Sequence, residues 1–128
     1  MDATQLSEKR FLLDQTTEKG REGCQIHLSD GFEMERSVFS FQANARALTM
    51  DSPEGLVKIV AGPDDRILGA HILGPDASDL IAELTLAMHN RLTIRDVASA
   101  VHIHPTLSEA VMEAALKVRG EAIHVLNS

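Results

Sequence analysis

Hydrophobic and polar residues divide this chain into a polar N-terminal segment and a patterned remainder. Residues 1 to 30 are mostly polar with weak periodicity, whereas strand and helix patterns begin after Gly31. Polar stretches without periodicity favour loops and frayed ends. We therefore expect residues 1 to 30 to be a divergent segment and the least ordered part of the chain, and residues 31 to 128 to form one domain.

Strand patterns occupy the first half of this domain. Alternating apolar and polar residues predict a strand near residues 32 to 40, and the alanines of residues 43–48 predict one or two helical turns. Residues 56–60 and 66–73 are rich in β-branched residues and leucine, and the sequence Gly-Pro-Asp-Asp at residues 62–65 has typical turn chemistry. These two segments are predicted to form an antiparallel hairpin.

Three helix patterns follow the hairpin. Apolar residues at three- and four-residue spacing over residues 80–92 predict a helix that begins near residue 76 or 78 and ends at residue 90. Thr93 and Asp96 form a weak capping box and predict a short helix over residues 94–100. A third apolar stripe covers residues 107–118, with Gly120 as its stop signal. Strands followed by helices indicate an α+β fold.

Composition excludes several classes of function. The chain has 12 Lys and Arg against 19 Asp and Glu, a net charge of −7, and its basic residues are scattered, so we expect no nucleic-acid partner. It contains no stretch near the ~20 apolar residues that span a bilayer. Cys24 is the only cysteine, so no intrachain disulfide can form. We therefore expect a soluble, cytoplasmic protein, with Cys24 as an ordinary free thiol.

The run from His102 to Glu109 is the most informative stretch for function. Pro105 restricts His104 to extended conformations and is the residue type at which a cis peptide costs only ~1 kcal/mol. The Glu109 carboxylate could reach one ring nitrogen of His104, fix its tautomer and form a general acid/base pair for a thiol proton. The same spacing satisfies a capping box between Thr106 and Glu109, and spacing alone favours that interpretation.

A metal site is a third interpretation of these residues. His102 and His104 lie two positions apart on an extended stretch, so they could bind a metal together with His71 or His124. Because no adjacent Asp, Glu or Cys has ligand spacing, we assign no metal. His71 and His89 are better explained as a strand-face residue and a helix-surface residue.

Four motifs of the chain resemble one known family, the C-terminal dimerisation (interface) domain of flavin-dependent pyridine-nucleotide disulfide oxidoreductases, most closely its dihydrolipoamide dehydrogenase branch. The resemblance runs from about Phe32 to Val118. The motifs are Phe-Gln-Ala-Asn-Ala-Arg-Ala at residues 41–47, Gly-Leu-Val-Lys at 55–58, Leu-Gly-Ala-His-Ile-Leu-Gly-Pro at 68–75 and His-Ile-His-Pro-Thr-Leu-Ser-Glu-Ala at 102–110. The last motif is very specific.

The resemblance implies both a fold and a site. The fold is a mixed, mainly antiparallel sheet packed on one side by helices. His104 matches the family's catalytic base and Glu109 its carboxylate partner, which favours the acid/base pair over simple capping. In such enzymes the pair is donated across a twofold interface, where it removes a proton from a dihydrolipoyl thiol. His104 and Pro105 would also touch the flavin of the partner subunit.

What the chain lacks, compared with that family, limits its expected activity. The FAD-binding and NAD-binding domains of the full-length parent, with their glycine motifs and redox disulfide, have no counterpart here, and residues 1–30 show no clear match to the family's opening strand. We expect no cofactor and no turnover on this chain alone. The expected partners are a second copy of the chain, which the apolar stripes would meet, the parent's other domains and a lipoyl substrate. A free-standing, non-enzymatic dimeric interaction module is the alternative.

Overall fold

The structure, a computed structural model, describes residues 13–16 and 34–127. In chain order the elements are β1 (Leu13–Thr16), β2 (Glu35–Ser40), a 3-10 turn (Phe41–Ala43), α1 (Ala45–Thr49), β3 (Leu56–Ala61), β4 (Ile67–Leu73), α2 (Ala77–His89), α3 (Ile94–Ser99) and α4 (Glu109–Val118). The predicted α+β class is confirmed, and the predicted helices and hairpin agree with these bounds to within one or two residues. None of the helices in the described residues is long and apolar enough to cross a membrane.

The four strands form one mixed sheet with the order β1-β4-β3-β2. Strand β3 pairs antiparallel with both β2 and β4, whereas β1 pairs parallel with β4. The sheet is therefore mainly antiparallel, as the resemblance implied. Strand β1 was not predicted, because its four residues are too few to show an alternating pattern. The expected disorder elsewhere in residues 1–30, Cys24 and the predicted strand start at Phe32 lie outside the described residues.

Cross-strand register decides which side of the sheet is buried. Phe39 lies opposite Val57, which lies opposite Ile72, and all three are at most 1% exposed. Their neighbours Val38 and Leu73 point to the other face and are 41% and 39% exposed. Helix α4 packs on β2 and β3, and α2 packs on β4 and β1. Because side chains alternate along a strand, one face carries the core and the other stays open.

The apolar stripes that we expected to meet a twofold mate are instead buried within the chain. These residues are Ile67, Leu68 and Ile72 of the sheet and Leu107, Ala110, Val111, Ala114 and Ala115 at α4, each at most 8% exposed. Sheet and helix cover each other, so this part of the prediction was wrong. The large apolar side chains that remain most exposed are Val101, Leu126, Ile103 and Ile123.

Candidate functional site

The candidate site lies where the irregular segment 100–108 leads into α4. The His104–Pro105 peptide is cis, and the His104 side chain is 65% exposed. Nδ1 of His104 lies 2.9 Å from Oε1 and 3.1 Å from Oε2 of Glu109, the first residue of α4. The structure thus brings together the two residues that the sequence paired, and their catalytic role stays a prediction.

The Glu109 carboxylate makes both of the contacts that the sequence offered as alternatives. Its Oε2 also accepts a hydrogen bond of 2.9 Å from the backbone amide of Thr106. The Thr106 hydroxyl donates to the Ile103 carbonyl, so the reciprocal half of a capping box is not formed. Capping and pairing with His104 are therefore not exclusive, because a carboxylate has enough lone pairs for both.

Contacts with three neighbouring residues favour the charged form of Glu109. Burial by itself raises the pKa of Glu109, but hydrogen bonds from the Thr106 amide and the His104 ring, with the charges of His104 and His124, bring that pKa below its ordinary value. A charged carboxylate can only accept, so Nδ1 of His104 must donate. In the neutral ring this leaves the lone pair on Nε2, the nitrogen that is free to face a substrate.

The lowered pKa of Glu109 predicts a pH-dependent contribution to stability. A carboxyl group whose pKa is lower in the folded chain stabilises the fold fully above its ordinary value of 4.5, and loses this contribution as pH falls through the folded value. We expect the stability difference between the wild type and Glu109→Gln to shrink between pH 5 and 3. Urea unfolding across this range measures it, and a constant difference would contradict the charged contact.

A small cleft of about 160 Å³ lies beside the pair. One wall is polar and carries both His104 and Glu109. Its lining consists of Phe39, Ala43, Asn44, Ala45, Leu48, His104, Glu109, Glu113 and His124. Asn44 is 3% exposed and links α1 to the segment before α4. Its Nδ2 donates to the Thr106 carbonyl at 3.0 Å, and its Oδ1 accepts from the Ala47 amide and so caps α1. Its position before an alanine-rich helical pattern was a capping signal that the sequence analysis missed.

A second histidine–glutamate pair closes the other side of the cleft. Glu113, 1% exposed, accepts hydrogen bonds from the backbone amides of Ile123 and His124 and lies 3.1 Å from Nδ1 of His124. This carboxylate folds the segment after α4 back onto the helix. The sequence offered His124 only as a possible third metal ligand. The signal was Glu113 itself, a charged residue inside an apolar helical face, which needs buried partners.

Replacing Glu113 tests how strongly this contact holds the C-terminal segment. We expect Glu113→Gln to lower the free energy of unfolding by about 2 kcal/mol, because the charge-assisted bonds from the Ile123 and His124 amides and from the His124 ring would be lost. The matched control is Glu121→Gln, which removes an exposed ion pair with Arg119 and should change stability within error. Equal effects in urea unfolding would mean that burial of Glu113 is not the cause.

His102 does not face the same partner as His104. Its Nε2 lies 2.6 Å from Oε1 of Glu83 on α2, and its Nδ1 lies 2.8 Å from the Ala100 carbonyl. The sequence interpretation of His102 and His104 as joint ligands, completed by His71 or His124, is therefore not supported. In the part of the chain that the structure describes, no three His, Cys, Asp or Glu side chains are grouped to hold a metal ion.

Known proteins are similar to this chain in sequence and in fold. The family model for the pyridine nucleotide-disulphide oxidoreductase dimerisation domain matches residues 28–115. Dihydrolipoyl dehydrogenase of Halobacterium salinarum is 49% identical over 100 residues, covering 77% of this chain and 21% of that protein, and dihydrolipoyl dehydrogenase 2 of Haloarcula marismortui is 50% identical over 95 residues, covering 73% and 20%. This chain thus spans about a fifth of the length of these curated relatives.

A solved structure extends the comparison to the fold. The crystal structure of LpdA from Mycobacterium tuberculosis superposes with a TM-score of 0.65 at 28% identity, covering 68% of this chain and 19% of that one. The residues that the family model matches include β2 to β4 and most of α4, together with the segment that carries His104 and Glu109. The chain belongs to the pyridine nucleotide-disulphide oxidoreductase dimerisation-domain family and is similar to its dihydrolipoyl dehydrogenase members.

Proposed function

We propose that this dimerisation domain supplies a His104–Glu109 general acid/base pair to a dihydrolipoamide dehydrogenase-type reaction across a twofold interface. The observation that carries the proposal is the bond between Nδ1 of His104 and the Glu109 carboxylate, on a ring that is 65% exposed. Glu109 is only 13% exposed, so the carboxylate is held in place while the imidazole points outward. This is the arrangement that a proton-transferring group needs.

The proton step follows from the tautomer. Nε2 of His104 accepts the proton of a dihydrolipoyl thiol and becomes part of an imidazolium, which the Glu109 charge stabilises. The thiolate that remains is the nucleophilic form of sulfur and can attack a disulfide. When the disulfide bond breaks, the same nitrogen gives its proton to the thiolate that leaves. His104 thus acts as base and acid, and Glu109 orients it.

The described residues fit a shared flavin site better than a site of their own. The cleft beside His104, of about 160 Å³, is smaller than the roughly 300 Å³ at which small-molecule pockets begin, which supports a His104 ring that borders a ligand held by another subunit. Pro105 lines a separate cleft of about 400 Å³. FAD and NAD bound to the parent's other domains would supply the two-electron oxidation of the substrate. The chain alone is therefore proposed to be inactive.

The proposed partners are a second copy of this chain, the flavin and nicotinamide domains of its parent and a lipoyl-bearing substrate, in the cytoplasm. The exposed side chains of Val101 and Ile103 flank the candidate site and are 91% and 70% exposed. Apolar side chains this exposed, beside a reactive group, are typical of surfaces that a protein partner covers. They support an interface at the site itself.

The first experiment is flavin content, turnover with dihydrolipoamide and NAD, and mass by light scattering on one purified sample of the 128-residue chain. A colourless, inactive dimer is expected. A yellow or active sample would contradict inactivity of the chain alone. A monomer would contradict the twofold assembly.

A chimera tests the acid/base pair and separates this function from a non-enzymatic module. In dihydrolipoyl dehydrogenase of Halobacterium salinarum, the segment matched at 49% identity is replaced by the corresponding residues of this chain. Activity in the chimera is expected. A folded, flavin-loaded chimera without activity would favour the interaction module instead.

A further inference from the structure

The side chains around His104 alternate between solvent and the protein interior. Val101 and Ile103 are 91% and 70% exposed, whereas the His102 side chain between them is 6% exposed. The segment has no strand neighbour or helical turn at this point to impose that alternation. Something else must therefore hold His102 inward, and its hydrogen bonds identify what does so.

Both ring nitrogens of His102 face acceptors. Nδ1 lies 2.8 Å from the carbonyl oxygen of Ala100, and Nε2 lies 2.6 Å from Oε1 of Glu83. Neither a carbonyl nor a carboxylate can donate, so a neutral ring donates to one of the two acceptors, and with its proton on Nε2 it donates to Glu83. The second bond crosses from the irregular segment to α2, nineteen residues earlier in the chain.

His104 depends on such anchors because its own ring has little support. The hydrogen bonds that the structure gives this ring both go to Glu109. Downstream of it, Thr106 is fastened by Asn44 and by Glu109. Upstream, the nearest side chain that ties the backbone to a helix is His102. His102 and Thr106 are thus held on the two sides of His104. The backbone between them has little conformational freedom.

We propose that His102 is a positioning residue for the His104–Glu109 pair, acting through the backbone of residues 102–104 and anchored to α2 by Glu83. This inference rests on the proposed function, because it matters only if the pair is the working site. His102 need not touch a substrate. Its role is to keep Nδ1 of His104 within hydrogen-bond distance of a carboxylate that is fixed from the other side by Thr106.

The test reads the tautomer of His104 in the full 128-residue chain. Nitrogen-15 correlation spectra at about pH 8, above the ordinary histidine pKa of ~6.5, distinguish a proton on Nδ1 from one on Nε2. In the wild type the Nδ1 form of His104 should dominate. His102→Ala and Glu83→Ala should each lower the ratio of the Nδ1 to the Nε2 form at least about fivefold, since one charge-assisted hydrogen bond governs it.

Matched variants separate positioning from general stability. His102→Gln places an amide donor near the position of Nε2 and can keep the bond to Glu83, so it should restore most of the wild-type ratio, whereas His102→Ala should not. His89→Gln, an exposed change at the end of α2, is the control and should leave the ratio unchanged. A residue that only stabilised the fold would lower the unfolding temperature without moving the tautomer ratio. If His102→Ala unfolds the chain, Glu83→Ala carries the test.

The outcomes distinguish failure of this inference from failure of the proposed function. If Glu109→Ala changes the His104 ratio but the His102 and Glu83 variants do not, His102 is not a positioning residue and the pair stands. If Glu109→Ala also leaves the ratio unchanged, the pair itself is wrong. A change in all three variants, restored by His102→Gln, supports both.

Discussion

Replacing His104 by glutamine in the active chimera is expected to lower dihydrolipoamide turnover by about 10²–10⁴-fold, the usual range for loss of a general acid/base. Glutamine keeps the size and polarity of the side chain but offers no nitrogen that can take up a proton near neutral pH. The cause lies in Nε2, the nitrogen that remains free while Nδ1 is bonded to Glu109. Steady-state kinetics with dihydrolipoamide and NAD measure the loss.

The turnover of a Glu109→Gln chimera is compared with that of His104→Gln. Glu109→Gln keeps an acceptor oxygen for Nδ1 of His104 and so its tautomer, but removes the charge, so a smaller loss of about 10–100-fold is expected, the range found for hydrogen-bond partners of metal-bound histidines. His89→Gln, on the exposed end of α2, should leave turnover unchanged. Near-normal activity of a folded His104→Gln chimera would refute the proposed role of this histidine.

Replacing Gly55 by alanine is expected to destabilise the chain by about 4 kcal/mol. Gly55 has a φ of 116°, and a Cβ atom built on it would lie 1.9 Å from the carbonyl oxygen of Leu73. An alanine would be strained at this φ, and its Cβ would overlap the Leu73 carbonyl. Backbone strain and overpacking cost about 1–3 kcal/mol each, and the two costs add together. Because the Gly55 carbonyl also accepts from the Phe41 amide, the change disturbs the start of the 3-10 turn. Urea unfolding of the full chain measures it.

Gly120 provides the control for backbone conformation alone. It also has a positive φ, 70°, but a Cβ atom there would have no neighbour within 4 Å. Gly120→Ala should therefore cost only about 1 kcal/mol, the cost of a left-handed conformation for a residue with a side chain. If both variants lose the same stability, the contact with Leu73 is not responsible for the larger effect.

Local chemistry explains why much of the fold was predictable. The hairpin of β3 and β4 has turn residues between two β-rich segments, and α3 has its capping box, with Thr93 and Asp96 bonded reciprocally as predicted. The apolar stripe of α2 likewise matches its buried residues. Each of these signals lies within a few neighbouring positions, so periodicity and capping are enough to detect it.

The site was only partly predictable, for a physical reason. His104 and Glu109 are five residues apart, so one reversal of the chain brings them together, and the specific motif around them suggested the pair. His102 and Glu83 are nineteen residues apart on different elements, and no spacing rule connects them. Asn44 and Thr106 are more distant still, at sixty-two residues. Contacts at such separation depend on how the helices pack on the sheet.

Sequence alone determined the strands β2 to β4, the positions of the four helices and the chemistry available at His104, because these follow from local hydrophobic period, turn residues and side-chain type. Tertiary structure decided that the stripe of α4 covers the sheet instead of a mate and that His102 turns inward to Glu83. These outcomes depend on burial and on distances between elements that are far apart in the chain, and no local pattern encodes them.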